Sequence, residues 1–552
     1  NRRNTVFPPY SLPFYLVCGT TYTYFLSDKV GVIKSLANIH ISYKHSEKLF
    51  AISTKTCTAH RNQRLTQSTN LTNDNVAIER NLLIKKVINN LNEIITPENL
   101  TPKNVLVDFS SPNIAKPFHV GHLRSTIIGN FISNINKHYQ NDVTKLNYLG
   151  DWGTQFGLLQ YGLKAKNIDI NEITSNPISS LYQIYVEANQ MSQKDESVHD
   201  QARKYFTDIE KGETSLQSWE KIRQVTVAEL EKMYSRLGIK FDVYHWESDY
   251  NSKHIQGIIE MLEKRKIWFV DETGRKVVKV KDKNVTVLKS DGSTLYITRD
   301  IAALLDRYKK FNYDKHIYVV DKAQTDHFIA LFDIVSKIDE KSVAGCEHIK
   351  FGRIKGMSTR KGNVIFLNDV LDEAKHKMCE KQLQAKNTRA SAVNEETWDV
   401  LGTTAVVIND LKQKRQNDYE FDWDKALQSE GDSGIKLQYL HCRLWSLENN
   451  CGVSPADTCE PDCLPEEIIG TVVAELVKFQ SVLHRAHTEN EACILVNYLF
   501  RLSRHVNRMF NELKVKDIDP YVGSQRLLIF KTARVVLKTS LEILGVKPLN
   551  EM

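Results

Sequence analysis

Residues 104–109 read "NVLVDF", an almost unbroken apolar run of the kind a parallel sheet buries on both faces. After a short polar loop, "HVGHLRSTIIGNFISNINKHY" sets Val120, Leu123, Ile127, Phe131 and Ile135 along one side of a helix. A buried strand, a loop and a helix in that order open a doubly wound, Rossmann-type fold. A second half of the same kind follows far downstream. There "STLYITRDIAALLDRYKKF" predicts a short strand and a helix, and "KHIYVVD" predicts another buried strand. Between the halves, from about 155 to 288, the pattern is helical and mixed. Upstream, "AIERNLLIKKVINNLNEI" predicts a helix at about 77–93. From about 400 the pattern is helical to the end, with no further strand run of comparable strength.

A chain of 552 residues is too long for one core, so several domains are expected. With 41% hydrophobic and 26% charged residues it reads as globular, and it lacks the run of about 18 apolar residues that a membrane span needs. Nine cysteines fit free thiols in a reducing compartment. Cys451, Cys459 and Cys463 cluster without a C-x-x-C pair, which predicts a plain loop rather than a zinc site. The net charge of +7 is uneven: residues 1–72 hold nine Lys/Arg and two Asp/Glu, so the rest of the chain sums to zero. This basic, Ser/Thr-rich start reads either as an organelle transit sequence or as a disordered leader.

Neither a Walker A loop nor a G-x-G-x-x-G turn occurs, so a nucleotide would have to be held otherwise. His119 and His122 project from one face at a helix N-terminus, where free N–H groups and the dipole already favour a phosphate. Two imidazole donors there suit negative charge building in a transition state. Gly121 removes a side chain where a base or ribose would touch the backbone. Two histidines on a helix are by themselves ordinary core or surface residues, but a second element accompanies them. In "GRIKGMSTRKGNVIFLNDVLDEA", residues 352–374, a small polar loop carries Arg360 and Lys361 ahead of a strand and a helix. Such a loop can close positive charge over a leaving pyrophosphate.

"HVGH" resembles the HIGH motif of class I aminoacyl-tRNA synthetases, and "GMSTR" stands where their KMSKS loop belongs. In order, "FSSPNIAKPFHVGHLRSTIIGNF", "NYLGDWGTQFGLL", "SDGSTLYITRD", "GMSTRKGNVIFLNDVL" and "EGDSGIKLQY" resemble arginyl-tRNA synthetases, and "GNFISNI" is similar to their animal mitochondrial form. The resemblance runs from about residue 75 to the end. It implies an α/β fold: a doubly wound parallel-sheet catalytic domain, a helical and mixed insertion, and an all-α C-terminal anticodon-binding domain. The expected boundaries are a leader at 1–74, a remnant of an N-terminal tRNA-binding domain at 75–103, and catalytic halves at 104–155 and 289–374. The insertion is expected at 156–288, a stem-contact region at 375–430 and the anticodon-binding domain at 431–552.

The implied reaction activates L-arginine with ATP to arginyl-adenylate and transfers it to the 3′ end of tRNA(Arg), with Mg²⁺ arriving on the ATP. The resemblance carries ATP contacts onto His119, Gly121, His122, Met357 and Ser358. It carries catalytic charge onto Lys116, His119, His122, Arg360 and Lys361. Thr359 replaces the second lysine of KMSKS, and the family pattern moves that charge to Lys116. A guanidinium needs a carboxylate able to accept two parallel bonds. The resemblance gives this role to Asp300, with Tyr296 one helical turn before it and Gln324 at the same end of the pocket. Read without the family, Asp300 is equally a helix N-terminal acid or a partner of Arg299. Ser111, Pro112 and Asn113, with His122, would hold the substrate's α-amino and carboxylate groups. Asp108 stands where relatives often have Glu and could anchor the α-ammonium.

Residues 496–540 carry nine basic and three acidic residues. Arg501, Arg504 and Arg508 form one stripe and Lys531, Arg534 and Lys538 a second, which suits tRNA phosphates. The expected state is a monomer, in the mitochondrial matrix or the cytoplasm. Two other readings stay open at this level: an inactive synthetase paralogue that binds RNA, and another HxGH nucleotidyltransferase.

Overall fold

The structure is a computed structural model that describes residues 14–18, 21–25, 39–44, 49–54, 74–97, 101–116, 118–170, 173, 177–211, 217–292, 294–355, 366–384, 390–428 and 431–552. Two compact units divide the chain: Asn1–Leu100 with Leu437–Ser540, and Thr101–Lys436 with Leu541–Asn550.

The larger unit is built on five parallel strands: β1 (Asn104–Asp108), β2 (Asp142–Leu149), β3 (Val243–Trp246), β4 (Lys315–Asp321) and β5 (Cys346–Phe351), in the spatial order β5-β4-β1-β2-β3. Val105, Leu106 and Val107 of β1 are almost wholly buried, as a central strand covered on both faces requires. Helix α1 (Val120–His138) joins β1 to β2. It is buried nearly all round: Leu123, Phe131 and Ile135 on the expected side, and also Arg124, Ser125, Thr126 and Asn130. Helix α2 (Gln217–Arg236) precedes β3, α3 (Tyr296–Phe311) precedes β4, and α4 (Thr325–Ile338) leads from β4 to β5. The strand order reverses between β1 and β4, so the crevice beyond their carboxyl ends is where such a sheet takes a ligand.

Three local expectations change. The "STLYITRD" segment forms no strand. It gives an isolated bridge, Leu288 to Thr294, after a turn closed by Gly292 N–H on the Lys289 carbonyl, and α3 has begun by Tyr296. The edge strand β3 comes from inside the segment read as insertion. Its four residues "VYHW" are too short and too mixed to announce a strand. Upstream, residues 74–79 are a strand paired antiparallel with Leu49–Thr54, so the helix starts only at Arg80 and runs to Asn89.

A buried arginine links the start of α1 to the segment that carries the basic loop. Arg124 pairs with Asp410 of α5 (Glu395–Leu411) at 3.0 Å, both almost fully buried. Its guanidinium donates to the carbonyls of Gly352 and Asn417 at 2.9 and 2.8 Å. Those two carbonyls flank the parallel pairing of Ile354–Lys355 with Tyr419–Glu420. Removing one partner of a buried ion pair such as Arg124–Asp410 typically costs about 3–5 kcal/mol.

In the smaller unit, strands Ile39–Lys44, Leu49–Thr54 and Asp74–Glu79 make an antiparallel sheet, and Phe14–Cys18 pairs with Thr21–Phe25. The remainder of the expected leader lies outside the described residues. Helices Glu467–Leu476, Phe479–Glu489 and Ala492–Glu512 pack around Ile469, Val473, Phe479, Leu483, Val496, Leu499 and Val506, all buried. The helix Arg80–Asn89 belongs to this unit: Arg80 donates to the carbonyls of Leu464 and Glu466 at 2.7 and 2.8 Å. Among the described residues, no helix is long and apolar enough to cross a membrane.

Candidate active site

The loop from β1 to α1 is strained and then pinned. Ser110, Ser111 and Ala115 all take positive φ (76°, 48° and 54°), a conformation that costs a non-glycine residue on the order of 1–3 kcal/mol. Ser110 N–H donates to Ser125 Oγ at 2.9 Å, and Ser125 Oγ donates to the Val319 carbonyl of β4 at 2.7 Å. Ser111 N–H donates to Asn147 Oδ1 at 3.0 Å. Beyond it, buried Pro112 accepts from Gly150 N–H at 3.2 Å and Asn113 pairs with Gly150 in a parallel bridge. A Cβ on Gly150 would stand 2.2 Å from Asn113 Oδ1, so only glycine lets that amide lie across the end of β2.

His119 is the N-cap of α1, and its Nδ1 accepts from Gly121 N–H at 3.0 Å. That bond assigns the ring proton to Nε2, which is left as a donor. A Cβ on Gly121 would fall 2.6 Å from the His119 ring, so without ligand the missing side chain makes room for imidazole rather than for a base or ribose. The His119 and His122 rings lie 3.9 Å apart between centroids. Burial, then the neighbouring His119, holds His122 at a pKa of about 3, and burial followed by the Lys116 charge lowers that of His119. Both rings therefore meet a ligand as neutral donors. Lys116 Nζ donates to Gln155 Oε1 at 2.8 Å and lies 5.2 Å from the Tyr185 ring centre, and burial lowers its pKa. Met357, Ser358, Thr359, Arg360 and Lys361 lie outside the described residues. The segment just after them is placed: Phe366 pairs with His119 in an antiparallel bridge, and Leu367 N–H donates to the Phe118 carbonyl at 2.8 Å.

The remaining arginine-binding candidates come from α3, the start of α4 and the end of β1. Asp300, in the second turn of α3, takes a 2.7 Å contact from His327 Nε2 of α4, so its partner is this histidine and not its neighbour Arg299. Arg299 instead sits over the Trp152 ring at 5.3 Å. Gln324 is the exposed N-cap of α4, one turn before His327, and Tyr296 is the exposed first residue of α3. Asp108 is buried in an ion pair with Arg307 at 2.8 Å and also accepts from Ser111 Oγ at 3.2 Å. Its carboxylate is thus already compensated before any ammonium arrives.

Sequence reasoning missed Glu247. It follows the last residue of β3, is buried, and its Oε1 has no hydrogen-bond partner. Burial, then the nearby Asp300 charge, pushes its pKa up to about 8. Asp300 also raises the pKa of Tyr148, whose buried hydroxyl is unpartnered, after the larger effect of burial. The Arg299 charge works the other way on Glu247, and the unused buried oxygen beside a second acid suits a cationic ligand. One acid in "HWESDY" carries no spacing signal; only the sheet brings it to Asp300.

Residues 83–423 match the family model for "tRNA synthetases class I (R), catalytic domain", and residues 437–552 match the "DALR anticodon binding domain". A human protein named "Probable arginine--tRNA ligase, mitochondrial" is 37% identical over 492 residues, covering 87% of this chain and 85% of its own. The chain belongs to the arginyl-tRNA synthetase family. The cytoplasmic arginine–tRNA ligase of Saccharomyces cerevisiae is also 37% identical, over 467 residues, covering 82% of this chain and 77% of its own. The crystal structure of the Plasmodium falciparum arginyl-tRNA synthetase superposes with a TM-score of 0.71 at 26% identity, over 87% of this chain and 84% of that one. The Thermus thermophilus arginyl-tRNA synthetase shares the fold with a TM-score of 0.72 at 20% identity, over 87% of each chain.

In this synthetase the two C-terminal stripes are partly neutralised by its own acids. Arg501 pairs with Glu475 at 3.1 Å, Arg508 with Glu512 at 2.7 Å, and Arg534, mostly buried, with Glu448 at 2.7 Å. Arg504 and Lys538 are exposed and Lys531 is half-buried.

Proposed function

We propose that this arginine–tRNA ligase binds the substrate guanidinium between Glu247 and Asp300 and the ATP phosphates at the mouth of α1. The observation that carries the reading is Glu247 itself: a buried carboxyl with an unpaired oxygen, under the charge of Asp300, just past the carboxyl end of a strand of a Rossmann-type sheet. Asn113 and Ser111 orient the amino acid so that its carboxylate oxygen can attack the α-phosphorus. Asp108, held by Arg307, then shapes that loop more than it grips an ammonium. As the bond from the α-phosphorus to the bridging oxygen breaks, pyrophosphate leaves, and His119 Nε2, His122 and Lys116 donate to the charge it carries. The terminal ribose hydroxyl of tRNA next attacks the arginyl carbonyl and AMP departs.

Among the described residues no group of three or more His, Cys, Asp or Glu could hold a metal ion, and Mg²⁺ is assigned to the ATP phosphates. Arg504, Arg508, Lys531 and Lys538 are offered to tRNA phosphates, whereas Arg534 serves its ion pair. We place the enzyme in mitochondrial translation, a reading supported by the human relative's printed name and by the basic first 72 residues, and expect it to act as a monomer. Acid-precipitable arginine on a tRNA(Arg) transcript, formed by purified protein with ATP and Mg²⁺, tests the function. No esterified arginine would overturn it.

The raised pKa of Glu247 gives a pH dependence. In the empty pocket the acid is protonated below about 8, and binding a guanidinium favours its ionised form. Arginine binding therefore strengthens as pH rises, by roughly tenfold per unit below that value, and levels off above it. Asp300, Asp151, Tyr148, Tyr296 and Arg299 also act on this pocket, so Glu247→Gln is the control that should flatten the slope. Calorimetric affinity for arginine between pH 6 and 9 checks it.

A further inference from the structure

A carboxylate can choose a planar guanidinium only if its own carbon skeleton is held still. Glu247 stands in a one-turn helix, Glu247–Asp249, at the edge of the sheet, where little else fixes a side chain. The residues on either side of it are gripped instead. Ser248 donates twice to one carboxylate, its N–H to Asp151 Oδ1 at 2.9 Å and its Oγ to Asp151 Oδ2 at 2.6 Å. Asp151 is fully buried and is itself fixed from α2, by Arg223 Nε at 2.6 Å and Trp219 Nε1 at 3.1 Å. Arg223 also contacts Ser248 Oγ, and its guanidinium lies 4.6 Å from the Trp246 ring centre. On the other side, Asp249 Oδ2 accepts from Trp246 N–H at 3.2 Å. Trp246 and Ser248, on either side of Glu247, are thus both held by hydrogen bonds.

We propose that Asp151, set by Arg223 and Trp219 and acting through Ser248, is the positioning residue that aims Glu247 at the substrate guanidinium. The inference rests on the guanidinium reading of Glu247. The ion pair of Asp151 with Arg223 comes from two elements, the "GDWG" turn after β2 and helix α2, that meet only in the fold. Its product is an orientation. Glu247 keeps one oxygen unpaired and buried while its neighbours Trp246 and Ser248 are hydrogen-bonded.

Ser248→Ala removes both contacts of the Ser248 hydroxyl, to Asp151 and to Arg223, while those two charges keep each other as partners, and Ser248→Thr keeps a hydroxyl at the same place. In tRNA-dependent pyrophosphate exchange, Ser248→Ala should raise KM for arginine about tenfold or more, since small misplacements of a binding group are costly. KM for ATP should stay within about twofold, and Ser248→Thr should recover most of the loss. Equal changes in both KM values, a fall in kcat alone, or an alanine variant indistinguishable from the parent would each overturn the proposal. Glu247→Gln separates the two layers. If it leaves KM for arginine unchanged, the guanidinium reading fails; if it raises KM while Ser248→Ala does not, only the positioning role fails.

Discussion

Asp300→Asn is expected to remove the enzyme's preference for arginine over citrulline, lowering kcat/KM for arginine by on the order of 10²-fold or more while citrulline changes little. A guanidinium presents donors in a plane and no acceptor, so it is distinguished from a urea by charge and by two parallel bonds to one carboxylate. An amide in place of the Asp300 carboxylate keeps one acceptor and turns the other into a donor that opposes the ligand. The effect should be specific because His327 Nε2, 2.7 Å from Asp300 Oδ2, can find a partner in either side chain, and the helix around it changes nothing else. The residual acid, Glu247, would still attract a cation but could not fix its plane. Competition kinetics with arginine and citrulline in the same charging reaction provide the measurement. A variant that still selects arginine would move specificity away from Asp300.

The parts of this site that lie along one stretch of chain were legible in sequence. The buried run at 104–109, the strained loop and the histidine pair follow one another, so apolar pattern, helix N-terminus and spacing point to one place. Asp300 was legible only through family resemblance, because an acid early in a helix has the same pattern whether it caps, pairs or binds. Glu247 was not legible at all. Its strand is four residues long, and its meaning lies in a neighbour 53 positions later (300 − 247) that the parallel sheet brings close. The same limit applied to charge. The stripe of Arg501, Arg504 and Arg508 was read as a face for tRNA phosphates; all three are exposed, yet the acids that temper two of them, Glu475 and Glu512, sit on other turns or helices. For Arg534 the partner Glu448 buries the pair, which periodicity along one helix cannot show. Arg124 carried no reading in sequence: it follows the histidines along the chain, and only the fold brings it to Asp410 and two carbonyls.

Lys116→Met should slow adenylate formation by on the order of 10²- to 10³-fold, the cost of removing one preorganised charge from a developing phosphate anion. The lysine is placed for this. It is half-buried and three residues before the N-cap of α1, and its ammonium is steadied by Gln155 and the Tyr185 ring rather than cancelled by a carboxylate. An ammonium partly out of water acts on a nearby phosphate more strongly than an exposed one. Folding should be little affected, because the lost contacts are one half-buried hydrogen bond to an uncharged amide and a ring contact, so the melting temperature is the control. A second signature follows from the neighbouring rings. Burial is the main cause of the low pKa of His119, and the Lys116 charge adds to it. Removing that charge raises the His119 pKa, so the acidic limb of the activation rate should shift to higher pH. Single-turnover formation of arginyl-adenylate in the presence of tRNA, followed across pH, reads both effects at once. A rate equal to the parent's would return the charge to the basic loop at 356–361, whereas a slowed rate with an unmoved acidic limb would leave Lys116 in the reaction but uncouple it from the histidines.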